Sequence, residues 1–290
     1  MTLELVAQAV VGGLVIGAIY ALIAAGLTLI FGVMDILNVA HGAMVMLGMY
    51  AAYWLFNLYG VDPYLSLLLI MPAFFLFGMV IHYLLIGPML GQRPINLLLM
   101  TLGIMLFLEN AALLLWTPDF RTLKVAYAST TVHIGPALLT VPRLIGFVLA
   151  LVLTGALYVF LKRTMLGKAI RACASSPTGA ALIGINPNRM YAIAFGVGVA
   201  CAGAAGAVVV PFFYVSPHVG LGFLLPAFVV IVLGGLGNFW GALVGGLIIG
   251  LVEALGALVI PASAKQILSL GIFVLILLLR PQGLFGARSA

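Results

Sequence analysis

Residues 5–34, LVAQAVVGGLVIGAIYALIAAGLTLIFGVM, contain no Asp, Glu, Lys or Arg. Roughly 20 apolar residues at about 1.5 Å each span the hydrocarbon of a bilayer, so this stretch reads as a membrane span. Uncharged stretches recur over 36–61, 63–92, 144–161 and 190–252, the last with room for up to three passes. Over the 290 residues, 65% are hydrophobic and 6% charged. A soluble domain carries roughly 25% charged residues to keep its surface hydrated. So little charge cannot cover a water-facing surface, and the main solvent must be lipid. The segment after Glu4 is far longer than the apolar core of a secretion signal and is expected to remain as the first span.

The chain divides into nine expected spans, near 5–33, 41–59, 64–86, 95–116, 143–161, 189–210, 219–236, 239–260 and 264–280. They are continuous apolar runs without period-two alternation. Helices satisfy every backbone hydrogen bond within one segment, so the expected class is all-α: a polytopic bundle of about 8–10 transmembrane helices, some broken or short, in a single domain over 1–290. Two polar connections stand out, 117–142 and 162–189. With the N-terminus outside, the inner side collects Arg93, Lys162, Arg163, Lys168, Arg171, Arg189, Arg280 and Arg288, against Arg121, Lys124, Arg143 and Lys265 outside. Eight cations against four favour a periplasmic N-terminus, a cytoplasmic C-terminus, an external 117–142 loop and a cytoplasmic 162–189 loop. The net charge of +6 follows from this bias, since no basic helix or RNA-binding signature accompanies it, and no nucleic acid is expected. Cys173 and Cys201 lie in unlike surroundings and are not expected to pair.

Pro211–Gly222 and Gly234-Gly235-Leu236-Gly237-Asn238 interrupt the apolar runs. Breaks at membrane depth are tolerated where protein or a water-filled cavity covers the backbone, and they often mark a pathway. Gly237, Gly241 and Gly245 recur every four residues, with Gly246 and Gly250 on the adjacent stripe, a spacing that lets helices approach closely. That spacing serves packing without requiring a part in transport. Asn38 before Ala40-His41-Gly42-Ala43 and Asn238 before Trp240-Gly241-Ala242 form a faint internal repeat.

Enzymatic signatures are absent: there is no H-E-x-x-H, no G-x-S-x-G and no His, Cys or carboxylate cluster at metal spacing, so neither an enzyme, a metal nor a cofactor is expected. Gly167-Lys168 lacks the earlier glycine of a phosphate-binding loop, so ATP-driven work needs a partner chain. Ionisable residues inside lipid are costly and become candidate functional groups, which selects Glu109, Glu253 and Asp35; each also suits a structural acid bonded to a neighbouring helix. His41 opens the second span after Asn38, which is placed to cap that helix, and both are candidates for the pathway. His82, His133 and His218 show no mutual spacing and receive no role. In the 162–189 loop, the Ala-rich run after Arg171, with a helix start at Ser175-Ser176-Pro177, predicts a short helix outside the bilayer; a basic anchor on anionic lipid explains the cations but not the small residues.

Four blocks carry a family resemblance. GLVIGAIYALIAAGLTLIFGVMDILNVAHGAMVMLGMY (13–50), GKAIRACASSPTGAALIGIN (167–186), AFVVIVLGGLGNFWGALVGGLIIGLVEAL (227–255) and RPQGLFG (280–286) occur in order over nearly the whole chain. Together they resemble the permease subunits of branched-chain amino acid ATP-binding cassette importers, specifically the shorter of the two permeases. The resemblance implies an inner-membrane subunit forming the path for leucine, isoleucine or valine. It further implies a second homologous permease, two cytoplasmic ATPases, a periplasmic substrate-binding protein and surrounding membrane lipid as partners. It makes 162–189 the coupling element and points to Arg171, Ala172, Ser175, Ala180, Gly184 and Asn186, with Ser175-Ser176-Pro177 standing where relatives often carry an acid. Similar permeases serve urea, amides and other amino acids. A stand-alone secondary transporter is the other alternative, and it would need a coupling-ion site that the few intramembrane charges do not supply.

Overall fold

The computed structural model describes residues 3–259, 265–280 and 282–285. The expected span edges at 260 and 264, Pro281 and Gly286 of the closing block, and Arg288 lie outside the described residues. The expected helices form α1 (Leu3–Met34), α2 (His41–Tyr59), α3 (Leu67–Ile81), α4 (Pro94–Trp116) and α5 (Val141–Arg163). Then follow α6 (Met165–Ser175), α7 (Pro177–Leu182), α8 (Pro187–Val209), α9 (Val219–Gly234), α10 (Phe239–Gly256) and α11 (Lys265–Leu279). The chain is a multi-pass helical membrane protein. Among the described residues, six helical segments are long and apolar enough to cross a bilayer, built on α1, α3, α4, α5, α8 and α10. That is fewer than the nine expected spans. α9 and α11 are apolar but shorter, and α2, the remaining one, carries His41, Asn57 and three tyrosines along its 19 residues.

α1 and α8 are buried along most of their length and form the axis of the bundle, whereas α5 is largely exposed. The residues at their contacts are small, because lipid offers no hydrophobic drive for helix association and close van der Waals approach has to supply it. On α1, a Cβ at Gly17 would stand 2.8 Å from the carbonyl oxygen of Gly246, and one at Gly13 would stand 2.8 Å from that of Gly250, both on α10. α8 meets α1 where Gly26 and Gly198 face each other, and meets α3 at Gly78 and Gly196.

The two polar connections lie at opposite ends of the bundle. At one end, Gln8 near the start of α1 donates to the Leu138 carbonyl at 2.6 Å, Tyr127 donates to Asp62 at 2.6 Å, and Tyr64 donates to the Pro142 carbonyl at 2.6 Å. This end contains an antiparallel hairpin, Thr131–Ile134 paired with Ala137–Thr140, that the all-helical reading did not foresee. Gly135 at φ +59° supplies the left-handed residue that its two-residue turn needs. At the other end sit α6, α7, the starts of α8 and α10, and residues 282–285, where Leu284 donates its N–H to the Leu233 carbonyl at 2.7 Å.

α2 does not begin at a bundle end. Nε2 of His41 lies 3.1 Å from the carbonyl oxygen of Ile23, eleven residues before α1 ends at Met34. At about 1.5 Å per residue, that is about 16 Å back along α1. Residues 35–40 therefore turn inward beside α4, and α2 starts inside the bundle. Thr101 of α4 holds the turn: its Oγ accepts the Val39 N–H at 3.3 Å and lies 3.3 Å from the Leu37 carbonyl oxygen.

Candidate functional site

The inward start of α2 places two polar side chains, Asn38 and His41, inside the apolar bundle. Asn38 and His41 are fully buried; among the described residues, neither polar side-chain atom of Asn38 has a hydrogen-bond partner, and Nδ1 of His41 has none. The expected cap by Asn38 is not formed. The cap position is Ala40, no side chain bonds the first turn, and the backbone carbonyl of Asn38 accepts the His41 N–H at 3.2 Å. By satisfying that N–H through its backbone, Asn38 leaves its amide facing the interior. Asn238, its counterpart in the faint repeat, does cap: its Oδ1 accepts the Gly241 N–H at 3.0 Å and its Nδ2 donates to the Phe285 carbonyl at 2.9 Å.

The start of α2 touches the start of α9, where a Cβ at Gly42 would stand 2.5 Å from the Gly220 carbonyl oxygen. Two residues before Gly220, His218 faces α4, and its Nδ1 lies 3.8 Å from Oε2 of Glu109. The Glu109 side chain is only 7% exposed, while that of His218 is 67% exposed. Oε1 of Glu109 has no hydrogen-bond partner. The contact between the two helix starts thus carries buried, unpartnered polar atoms on one side and a carboxylate–imidazole pair on the other. Sequence spacing had no means of pairing residues 109 and 218. His82, just past the end of α3, has Nε2 at 3.2 Å from Oδ1 of Asn188 and ties that end of α3 to α8.

Glu253 belongs to a different cluster. Tyr20 of α1 donates to its Oε2 at 2.9 Å, and Ser269 of α11 donates to its Oε1. One buried carboxylate thereby joins α1, α10 and α11. Glu253→Ala leaves two buried hydroxyls without their acceptor, at a cost of about 1–3 kcal/mol each. The expected outcome is a lower unfolding midpoint in detergent, with a much smaller loss for Glu253→Gln, which keeps an acceptor; equal midpoints for the alanine variant and the parent would remove this role.

The 162–189 connection folds into two helices rather than one. α6 can double back against α5 because residue 167 is glycine: a Cβ there would stand 2.6 Å from Cα of Leu161. Gly167, Ile170 and Cys173 form the buried face of α6. α7 starts at the expected Ser176-Pro177, and the Ser176 hydroxyl accepts the Gly179 N–H at 3.1 Å. The six residues carried by the resemblance are spread around this element. Arg171 turns back and donates from Nε to the Leu161 carbonyl at 3.1 Å, Ala172 is half-buried, and Ser175 is exposed. Ala180 is buried, Gly184 takes φ +85°, and Asn186 caps α8 by accepting the Arg189 N–H at 3.2 Å. Between them, Leu182 at 84% and Ile183 at 75% exposure form an apolar tip that no sequence signal separated from the other aliphatic residues.

On α10, Gly241 lies against the Gly234 backbone of α9, Gly245 lies 3.0 Å in Cβ distance from the Val230 carbonyl, and Gly246 and Gly250 face α1. Gly237 precedes the helix in a left-handed turn at φ +79° and is not on that face. Among the described residues, no group of three or more His, Cys, Asp or Glu side chains stands together as a metal site.

A polytopic bundle with a discontinuous inner start, buried polar groups and a folded basic element at one end defines a membrane transport subunit. The family model for "Branched-chain amino acid transport system / permease component" matches residues 9–277, and the chain belongs to that family. The family is one of transport permeases, not of enzymes, in line with the resemblance read from the sequence. The chain is 33% identical to the high-affinity branched-chain amino acid transport system permease protein BraD of Pseudomonas aeruginosa, over 96% of this chain and 95% of that protein. It is 30% identical to LivH of Salmonella typhimurium, named for the same kind of system, over 96% and 95% of the two chains. A probable branched-chain amino acid transport permease protein LivH of Methanocaldococcus jannaschii is 30% identical over 95% and 91%. No solved structure matches the chain significantly.

Proposed function

We propose that this chain forms part of the translocation path of an ATP-driven importer for leucine, isoleucine and valine in the bacterial inner membrane. Its partners in this reading are a second homologous permease, two cytoplasmic ATPases and a periplasmic substrate-binding protein. The observation that carries the reading is the α6–α7 element, a folded, basic projection with an apolar tip on a chain that carries no phosphate-binding loop of its own. The charge count supports placing that element in the cytoplasm, with the N-terminus and 117–142 in the periplasm. ATP-driven closure of an ATPase dimer moves whatever is seated in it, and α6, wedged under α5 by Gly167, transmits that displacement to the bundle.

The path runs past the meeting of the α2 and α9 starts. An amino-acid zwitterion needs a negative group for its ammonium and donors for its carboxylate. Glu109 supplies the first, and His218 with the positive end of α9 the second, while the buried Asn38 and His41 amides and imidazole line the inner side. Glu109→Gln keeps the shape and removes the charge, so a charge-assisted hydrogen bond is lost and leucine uptake falls about tenfold or more. Unchanged uptake at the parent's expression level would take Glu109 out of the path. For the function as a whole, the test is reconstitution in vesicles with both permeases, the ATPases and the binding protein: uptake requires all parts and ATP. Accumulation by this chain alone, without nucleotide, would instead identify a secondary transporter.

A further inference from the structure

Where α5 ends, α1, α5, α6 and the start of α10 line an open-sided cavity of about 350 Å³ whose lining includes none of the groups placed on the path. Its position is set by α5, a 23-residue apolar helix whose last turn carries Lys162 and Arg163, so the cavity mouth lies where the bilayer's hydrocarbon gives way to headgroups. Among the described residues, Lys162 and Arg171 line it and no Asp or Glu does. Lys162 donates to the Tyr158 hydroxyl at 2.9 Å and stands 5.3 Å over that ring, while Arg171 spends one of its five N–H groups on the Leu161 carbonyl. The N-terminal end of α10, with Gly237, Phe239 and Trp240 in the wall, adds its positive pole. A second observation is independent of these cations: Thr28 of α1 lines the same cavity, is 4% exposed, and its hydroxyl has no partner among the described residues.

The remaining walls are apolar, formed by Leu29, Val33 and Ile170, with Trp240 half exposed at the rim. Positive groups above an aliphatic floor, with Trp and Tyr between them, match a molecule that has a phosphate at one end and hydrocarbon at the other. We propose that this cavity is a binding site for an anionic phospholipid of the surrounding leaflet. Its phosphate sits between Lys162, Arg171 and the α10 terminus, and an acyl chain lies along α1. Such a lipid bridges α5 and α6 through Lys162 and Arg171, so it braces the projecting element against the bundle.

The test uses the full chain purified in detergent, exchanged into dioleoylphosphatidylglycerol, dioleoylphosphatidylcholine or neither, with lipid retained after washing counted by native mass spectrometry and unfolding followed by heating. Phosphatidylglycerol is expected to remain bound and to raise the unfolding midpoint, whereas phosphatidylcholine does neither. Changing Lys162→Gln and Arg171→Gln together removes two headgroup charges and weakens retention about thirtyfold. Thr28→Val, which keeps the shape, gives a smaller loss. Should the double variant fail to accumulate, Lys162→Gln alone decides in the same way. Equal retention of both lipids, or retention unaffected by the substitutions, overturns the proposal. Inorganic phosphate raising the midpoint as far as phosphatidylglycerol does also overturns it, by making the ligand a soluble anion.

Discussion

Replacing Gly250 by valine is expected to abolish accumulation of folded protein in the membrane. At this position α10 crosses α1, and any Cβ falls on the backbone nitrogen and Cα of Gly17 and on the carbonyl of Gly13. The neighbouring contact is as close, since a Cβ at Gly246 would stand 2.6 Å from the backbone nitrogen of Ala21. A clash with a side chain can be relieved by a rotamer change, but a clash with backbone requires the helices to separate. Overpacking in a core costs typically about 1–3 kcal/mol and more where nothing can yield. In lipid no hydrophobic drive holds two helices together once their close packing is lost, because acyl chains solvate the parted surfaces equally well, so the whole α1–α10 packing energy is at risk. The Tyr20–Glu253 hydrogen bond spans the same pair of helices and would be stretched with it. Gly12→Val is the matched control, since a Cβ there meets nothing within 4 Å among the described residues. Membrane yield and size-exclusion profile of tagged variants decide the matter: Gly12→Val behaves as the parent and Gly250→Val does not. A monodisperse Gly250→Val protein at parental yield would mean that the crossing leaves room for a side chain.

The same contrast marks what a sequence of this kind discloses. The long helices are legible because missing charge is itself the signal, and α1, α4 and α5 begin and end within a few residues of the expected limits. The Ser176-Pro177 start of α7 is legible because a hydroxyl followed by proline has a specific local meaning at a helix N-terminus. The inward start of α2 is not, because Asn38 and His41 resemble a cap at a membrane boundary equally well. Only the approach of His41 to Ile23 separates the two arrangements. The hairpin at 131–140 is too short for its alternation to register beside long apolar runs. Glycine spacing on α10 announces close contact without saying with which helix, and two adjacent stripes serve two neighbours, α9 and α1. The Glu109–His218 pair is tertiary, joining residues on α4 and just ahead of α9, and no local pattern encodes it. Leu182 and Ile183 are hidden for the opposite reason: in a chain that is 65% hydrophobic, two more aliphatic residues carry no information until their exposure is seen.

Those two residues carry the other large expected effect. Leu182→Asp combined with Ile183→Asp should reduce ATP-driven uptake to near background while leaving yield and unfolding midpoint within error of the parent. Both side chains stand mostly free of the bundle, so removing them deletes few internal contacts, and substitutions at exposed positions usually alter stability by no more than about 0.5 kcal/mol. An apolar pair projecting from a polar end is, by contrast, costly to keep in water unless a partner covers it. Burying two such side chains is worth about 1.5–3 kcal/mol each, and an aspartate placed there would have to be desolvated on docking. Gly184 follows the tip in a left-handed conformation, φ +85°, with open space where a Cβ would go. Gly184→Val therefore meets no steric obstacle but bears about 1–2 kcal/mol of backbone strain, relieved by re-aiming the tip. It should show a milder form of the same uncoupling. The decisive comparison is between ATP hydrolysis and leucine uptake in the reconstituted complex. Loss of ATPase co-purification with the double aspartate variant is expected, together with less uptake for each ATP hydrolysed for Gly184→Val. Full uptake in the double variant would move the ATPase contact away from α7, since no partner that seats this tip in an apolar groove tolerates two carboxylates in it.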